Sequence, residues 1–339
     1  MNLTEQQLDD LLSQPTDGVI ATLRRCSGDV IVLGAAGKMG PSLTAMVHRA
    51  CRQIGDQRNV LAVARFSDQA ARQRFESLGI RTIQCDLLDR GAVASLPDAP
   101  NVIFMAGMKF GSTGQEALTW AMNAYVPALV CEKYARSRIV AYSTGNIYGL
   151  APLDRGGSVE ADELNPAGDY AMSCLGRERI FQHFALARKT PVAMFRLNYA
   201  CECRYGVLVD LARKVWNSQP IDLAMGYFNV IWQGDAVAMS IQALEQAASP
   251  AVPINVTGPE TLRVRDVCEK FGALMGRKVA FTGNESPQAL LSNASRAFEL
   301  FGRPRVSADQ LMQWIASWVS RGGRSLGKPT HFEVRDGKF

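Results

Sequence analysis

Short, uninterrupted apolar runs alternate along this chain with longer stretches in which apolar residues recur every three or four positions. The runs predict strands at 29–33, 60–64, 81–85, 101–106, 138–143 and 192–197. The periodic stretches predict helices at 41–55, 68–78, 90–95, 114–135 and 169–189. Strands that are apolar throughout, each followed by a helix, belong to a parallel sheet covered on both faces, because a wet face would carry polar residues at every second position. The pattern therefore predicts an α/β fold, a doubly wound parallel sheet of the Rossmann type. Ahead of it, Thr4 and Thr16 can cap two short amphipathic helices carrying Leu8, Leu11 and Leu12, then Val19, Ile20 and Leu23. Beyond residue 198 the elements shorten and Pro and Gly breaks multiply, with helices expected at 207–218, 234–246, 265–275, 287–301 and 307–320. The expected organisation is a helical extension at 1–28, a sheet domain at 29–197 with a returning segment near 229–248, and a second, smaller C-terminal lobe made of 198–228 and 249–325. A tail at 326–339 follows, to which the sequence assigns no role.

Composition narrows the class. The 339 residues are 47% hydrophobic and 20% charged, which suits a large packed core and excludes disorder. The longest apolar stretch, 102–108, is far shorter than the roughly 18–20 residues that span a bilayer, and no cationic, apolar leader opens the chain. No membrane association is expected. The net charge of +5 leans toward the C-terminus without forming a basic stripe interleaved with aromatics, so no nucleic-acid partner is expected either. Eight scattered cysteines without a C-x-x-C pair read as reduced thiols, which points to the cytoplasm. The three histidines lie too far apart to suggest a metal site.

The chemistry begins where the first strand turns into the first long helix, at Gly34-Ala35-Ala36-Gly37-Lys38-Met39-Gly40. Glycines there permit a tight turn and let a pyrophosphate approach the backbone, facing the N–H groups of the helix start. At the first turn of a β-α-β unit, this pattern points to dinucleotide binding. Further landmarks follow in order: Asp86-Leu87 after the third strand, Met105-Ala106-Gly107 ending the fourth, and Asn123 in the next helix. Thr144, Asn146 and Tyr148 follow the fifth strand, and Tyr170, Asn198 and Gln233-Gly234-Asp235 come after them. With the G-x-x-G-x-x-G spacing, this set resembles the extended short-chain dehydrogenase/reductase family of the NAD-dependent epimerase/dehydratase type, over about residues 29–320.

The resemblance implies an NAD(P) site formed by Gly34, Gly37, Lys38, Met39, Gly40, Arg65, Asp86, Leu87, Met105, Ala106, Gly107 and Asn123. It also implies a catalytic pair in which Thr144 hydrogen-bonds the reacting oxygen and Tyr170, 26 residues on, exchanges its proton. The family's lysine, four residues after the tyrosine, is replaced here by Cys174. A tyrosine near its ordinary pKa of about 10 is a poor base at neutral pH without a nearby cation. Three readings stay open: another cation substitutes, Tyr170 works more slowly or with different assistance, or the protein binds cofactor without turnover as a redox-responsive partner. For the substitute, Lys109 is the preferred candidate because its loop should border the nicotinamide, whereas Arg177 and Arg179 lie further along the Tyr170 helix.

Arg65 at the end of the second strand, with no acid before Asp68, favours NADP over NAD. After Asn198 the chain departs from the family's nucleotide-sugar pattern and reads Tyr199-Ala200-Cys201-Glu202-Cys203-Arg204. That departure suggests a smaller sugar, sugar acid or polyol, with Asn146, Tyr148, Asn198, Arg204 and Trp232 as candidate substrate-pocket residues. The expected reaction is hydride transfer between nicotinamide and a hydroxyl or carbonyl carbon of a small-molecule substrate, in a protein that pairs as a homodimer.

Overall fold

A computed structural model describes residues 3–109, 111 and 113–337. Its centre is a seven-stranded sheet whose strands, in chain order, are β1 (Val30–Leu33), β2 (Val60–Ala64), β3 (Arg81–Gln84), β4 (Asn101–Phe104), β5 (Arg138–Thr144), β6 (Val192–Leu197) and β7 (Val252–Val256). They pair in parallel in the spatial order β7-β6-β5-β4-β1-β2-β3. This is the doubly wound Rossmann order, with the crevice between β1 and β4 where the direction of winding reverses. The all-apolar strands β1 and β2 are buried along their whole length, whereas β3, an edge strand, keeps its polar Arg81 and Gln84 exposed.

The helices are α1 (Glu5–Leu12), α2 (Asp17–Arg25), α3 (Gly40–Gln53), α4 (Gln69–Ser77), α5 (Arg90–Ala94), α6 (Glu116–Trp120), α7 (Val126–Lys133), α8 (Gly168–Arg188), α9 (Val207–Trp216), α10 (Gln233–Gln242), α11 (Val264–Met275), α12 (Ser295–Phe301) and α13 (Ala308–Ser320). Thr4 and Thr16 cap α1 and α2 through their side chains, as the sequence predicts. The two helices then part company. Leu8 and Leu12 of α1 join the core of the C-terminal lobe, and Val19 and Leu23 of α2 join the layer that holds α3 and α10 against the sheet. The other face is covered by α7 and α8, with Val126, Val130, Phe181 and Ala185 on the sheet.

Three expectations need correction. The long helix at 114–135 is interrupted by a π-turn at Ala121–Tyr125, centred on Asn123. The segment 249–325 does not belong wholly to the lobe: β7 completes the central sheet, and Ala297 of α12 packs in the sheet core. Pro253 masked β7, and an edge strand is the place where a sheet tolerates proline. Finally, the helix expected at 287–301 begins only at Ser295. Its first part is extended, because Gln288–Ala289 pairs antiparallel with Ala151–Pro152 and Ser158 bridges Ser292.

One buried ion pair fixes α8 against the sheet. Arg196 of β6 holds the Glu178 carboxylate through Nε and Nη2, with side chains only 3% and 1% exposed. Ser143 donates to the same carboxylate at 2.6 Å, and Tyr148 accepts from Arg196 Nη1 at 2.5 Å. Removing one charge strands the other in a dry environment. Glu178→Gln is therefore expected to destabilise the fold by about 3–5 kcal/mol, measured as a lowered urea midpoint; an unchanged midpoint would show that the pair is dispensable.

Candidate functional site

At the end of β1 the backbone of Gly34 takes φ +90°, and a Cβ there would stand 2.7 Å from the Ala106 nitrogen. Glycine thus lets the ends of β1 and β4 meet. A Cβ at Gly40 would fall 2.1 Å from the Ala35 carbonyl oxygen, which fixes the start of α3 close under the loop. A Cβ at Gly37, by contrast, would touch only the Gly34 carbonyl, at 3.2 Å. The first turn of α3 has no side-chain cap, and although Pro41 there carries no N–H, the other leading N–H groups remain for an anion. These three glycines with Lys38 and Met39 form one wall of a cavity of about 250 Å³ that also reaches Met105, Gly107, Thr144 and Tyr170. The cradle fits the diphosphate of a dinucleotide.

The opposite end is built by β5 and α8. Thr144 closes β5, is buried, and caps the following 3₁₀ turn by accepting from the Asn146 N–H at 3.2 Å. Tyr170, in the first turn of α8, lines the same cavity as Thr144, with Cys174 one helical turn further on. Burial pushes the Tyr170 phenol well above its ordinary value, and Cys174 adds to the rise while Arg177 opposes it. Burial raises the Cys174 thiol as well, so no thiolate stands there. Lys109 lines the cavity with its Nζ 5.6 Å from the centre of the Tyr170 ring. Desolvation brings its pKa down to about 8, and Cys174 and Asp210 counter the fall.

The model of the NAD dependent epimerase/dehydratase family matches residues 30–201, half of the chain, as the motifs led one to expect. The chain belongs to that family. Its fold is also that of solved structures of low sequence identity. The dTDP-glucose 4,6-dehydratase DesIV of Streptomyces venezuelae, with NAD bound, is 15% identical with a TM-score of 0.73, over 86% of this chain and 97% of that one. The UDP-glucuronic acid 4-epimerase of Bacillus cereus, in complex with NAD, is 17% identical with a TM-score of 0.71, over 86% and 99%. MoeE5, in complex with UDP-glucose and NAD, is 20% identical with a TM-score of 0.69, over 87% and 99%. No curated relative matches the sequence.

Within this epimerase/dehydratase-family protein the residues singled out from sequence separate into three groups. Gly34, Gly37, Lys38, Met39, Gly40, Met105, Gly107, Lys109, Thr144, Asn146, Tyr170 and Asn198 line the cavity together. Arg65 and Asp86 stand exposed, just past the C-terminal ends of the paired strands β2 and β3. The remainder lie elsewhere. Leu87 and Ala106 are core residues, and Asn123 is buried, binding both the N–H and the C=O of Met108. Tyr148 is buried between Arg196 and Asn255, and Trp232 packs edge-on to Trp314 at 5.4 Å. Arg204 is drawn off by Glu202 and Asp9 into a different cavity. These last three were expected in the substrate pocket; none of them lines this cavity.

The cavity also contains a residue that the sequence ranked second to Lys109 and two that it did not single out. Arg177 lines it, although it lies seven positions beyond Tyr170, because helical side chains lean back toward the N-terminus and seven residues make almost two full turns. That spacing was the available signal. Arg179, by contrast, is exposed and turned toward Gln182. Tyr199, at φ +45°, lines this cavity and a neighbouring one of about 320 Å³. The tail contributes Thr330, whose N–H and hydroxyl both donate to Asp210 of α9. No local pattern announced that contact.

Lys38 reaches across the cleft to the Ala200 carbonyl at 2.9 Å, its Nζ 3.9 Å from the centre of the Tyr205 ring. Desolvation lowers its pKa to about 8, like that of Lys109. An anionic dinucleotide favours the protonated form of both. Binding near pH 8–9 is therefore expected to take up protons, and affinity is expected to fall as pH rises through about 8. Calorimetric titrations in buffers of different ionisation enthalpy measure the uptake; zero uptake at pH 8.5 would count against a cofactor beside these lysines.

Proposed function

We propose that this protein is an NAD(P)-dependent oxidoreductase or epimerase acting on a hydroxyl or carbonyl carbon of a small carbohydrate-like substrate. The observation that carries the reading is that Thr144 and Tyr170 together line one end of a cavity whose other wall is the glycine loop. Membership of the epimerase/dehydratase family supports it, as do fold neighbours whose complexes hold NAD and UDP-sugars. When bound, the nicotinamide supplies a hydride acceptor or donor. The first turn of α3 and Lys38 bind and orient the diphosphate, and Thr144 Oγ1 positions the reacting oxygen. Tyr170 Oη takes or returns the proton of that oxygen. A phenolate in this buried setting needs positive charge, which Lys109 brings from the loop after β4 beside Arg177 of α8.

The lining carries Lys38, Lys109 and Arg177, and no Asp or Glu among the described residues. This favours an anionic substrate such as a sugar acid over a neutral polyol. A second reading, cofactor binding without turnover, draws on the neutral Cys174 and the raised Tyr170. A screen of sugar acids, polyols and aldoses separates the two. On any substrate found, Tyr170→Phe is expected to lower turnover by about two to four orders of magnitude with little change in cofactor affinity. Lys109→Met should shift the alkaline dependence of the rate upward by more than about one unit, because the phenolate loses its cation. A screen that yields neither cofactor turnover nor epimer would leave the non-catalytic reading in place.

NADP remains the preferred cofactor in this proposal. Arg65 is exposed at the end of β2, and the next acid in the sequence, Asp68, is engaged as the N-cap of α4 through the Ala70 N–H. NADP is expected to bind more tightly than NAD, and Arg65→Ala to erase most of the difference by removing the partner of the 2′-phosphate. Equal affinities of the native protein for the two cofactors would reverse that choice. Pairing with a second copy is supported by exposed Leu118, Trp120, Tyr125 and Met172 on the α6 to α8 face. A cytoplasmic setting is supported by eight buried, unbridged cysteines, and no described helix is long and apolar enough to cross a membrane.

A further inference from the structure

Beside the main cavity lies a second one of about 320 Å³, and the two share Asn146 and Tyr199 on their linings. Its lining runs from the buried Asn146 and Met225 to the exposed Asn165 and Gln288, and the C-terminal tail contributes Arg335. The tail is fixed on both sides of that residue. Phe332 is buried in the lobe core, its ring 6.0 Å from that of Phe228. Gly337 lies against the start of α8, where a Cβ on Gly168 would fall 2.3 Å from the Gly337 carbonyl oxygen.

Between these anchors Arg335 is held on neutral acceptors. Nη1 donates to the carbonyls of Ala224 and Gln288, each at 3.0 Å, and Nη2 to Ser286 Oγ at 3.0 Å. A guanidinium keeps its charge at any pH the protein survives, so these contacts orient it without neutralising it. The carboxylates of the neighbouring segments are engaged with other cations, Glu333 with Lys214 and Glu285 with Arg263. Among the described residues no Asp or Glu lines this cavity. Its other polar side chains, Asn146, Asn165, Gln288 and Tyr199, each donate as well as accept, which suits hydroxyl groups.

We propose that the tail completes the substrate site, and that Arg335 recognises a carboxylate or phosphate at the end of a polyhydroxylated substrate remote from its reacting carbon. The inference rests on the carbohydrate reading above, with the reacting carbon beside Thr144 and Tyr170, and adds what holds the far end. The main cavity, at about 250 Å³, must admit the nicotinamide as well as the reacting carbon. That is little room beside the roughly 300–1,000 Å³ of ordinary ligand pockets, so the rest of the substrate extends past Asn146 and Tyr199. There the planar, oriented guanidinium matches an oxyanion of either kind.

The test is calorimetric titration of the protein saturated with NADP or NAD, using a panel of pentoses and hexoses. Each sugar is offered in three forms: neutral, terminal acid and terminal phosphate ester. The native protein is expected to bind one anionic form about tenfold or more tighter than its neutral parent, and which form it is distinguishes carboxylate from phosphate. Arg335→Met should remove most of that preference and leave the neutral parent's affinity unchanged. Arg335→Lys should retain part of it, which a tail residue of purely structural value would not predict. Asn165→Asp, an exposed change on the same lining, should weaken the anionic form several-fold by like-charge repulsion and spare the neutral one. It decides alone should Arg335→Met fail to fold by circular dichroism. On a panel member that is turned over, Arg335→Met should raise KM with kcat little changed. Equal native affinities for anionic and neutral forms, an anion preference that survives Arg335→Met, or an equal loss of both forms in that variant would overturn the proposal and leave the carbohydrate reading standing. If no sugar binds in any form, the carbohydrate reading falls, and this inference with it.

Discussion

The buried pair Glu178–Arg196 is the constraint from which the rest of this site follows. An ion pair so deeply buried contributes little net stability against a well-packed apolar substitute, yet it tolerates almost no change of geometry, because either charge left alone is costly. Glu178 therefore fixes the rotation of α8 about its axis. With Glu178 turned toward β6 and Ser143, the face that bears Tyr170, Cys174 and Arg177 is turned toward the end of β5. The same Arg196 reaches Tyr148, which in turn donates to Asn255 of β7, so the pair also ties the turn after Thr144 to the edge of the sheet.

On this scaffold the chain carries an unusual distribution of charge. The family places a lysine one helical turn after the tyrosine, and this chain places a buried thiol there. Positive charge arrives from two other directions: Lys109 from the loop after β4, and Arg177 from almost two turns along α8. Neither is equivalent to the lost lysine. Arg177 is anchored on carbonyls and influences Tyr170 and Cys174 electrostatically, whereas Lys109 comes from a loop and titrates near 8. The result is a cavity whose lining carries Lys38, Lys109 and Arg177 and no Asp or Glu among the described residues.

The two ends of the chain contribute to the lobe and to the cavity wall. Helix α1 gives Leu8 and Leu12 to the lobe and Asp9 to Arg204, and the tail gives Thr330 to the cavity wall. Gly337 lies close enough to Gly168 that a Cβ on either would clash with the other's backbone. The two ends of the chain thus help to set where the lobe and the start of α8 meet. The fold neighbours named above are matched almost whole, while about a seventh of this chain lies outside the match.

How much was legible without coordinates depended on whether the cause of a feature was local. The capped helices α1 and α2, the apolar strands β1, β2, β4, β5 and β6, and the glycine loop were readable because hydrophobic period, capping chemistry and backbone freedom act over a few residues. Strand β7 and the extended segment at Gln288–Ala289 were not, because each is held by pairing with a partner about 60 to 140 residues away. The same division runs through the site. Sequence alone determined the chemical types present: a hydroxyl pair, a missing lysine, a glycine cradle. Only the tertiary structure decided that Arg204, Tyr148 and Trp232 are occupied elsewhere and that Arg177 and Thr330 face the cavity. A charged or polar side chain goes where its desolvation is best compensated, and the compensating group here, Glu202, Arg196, Tyr142 or Asp210, is brought near by the fold.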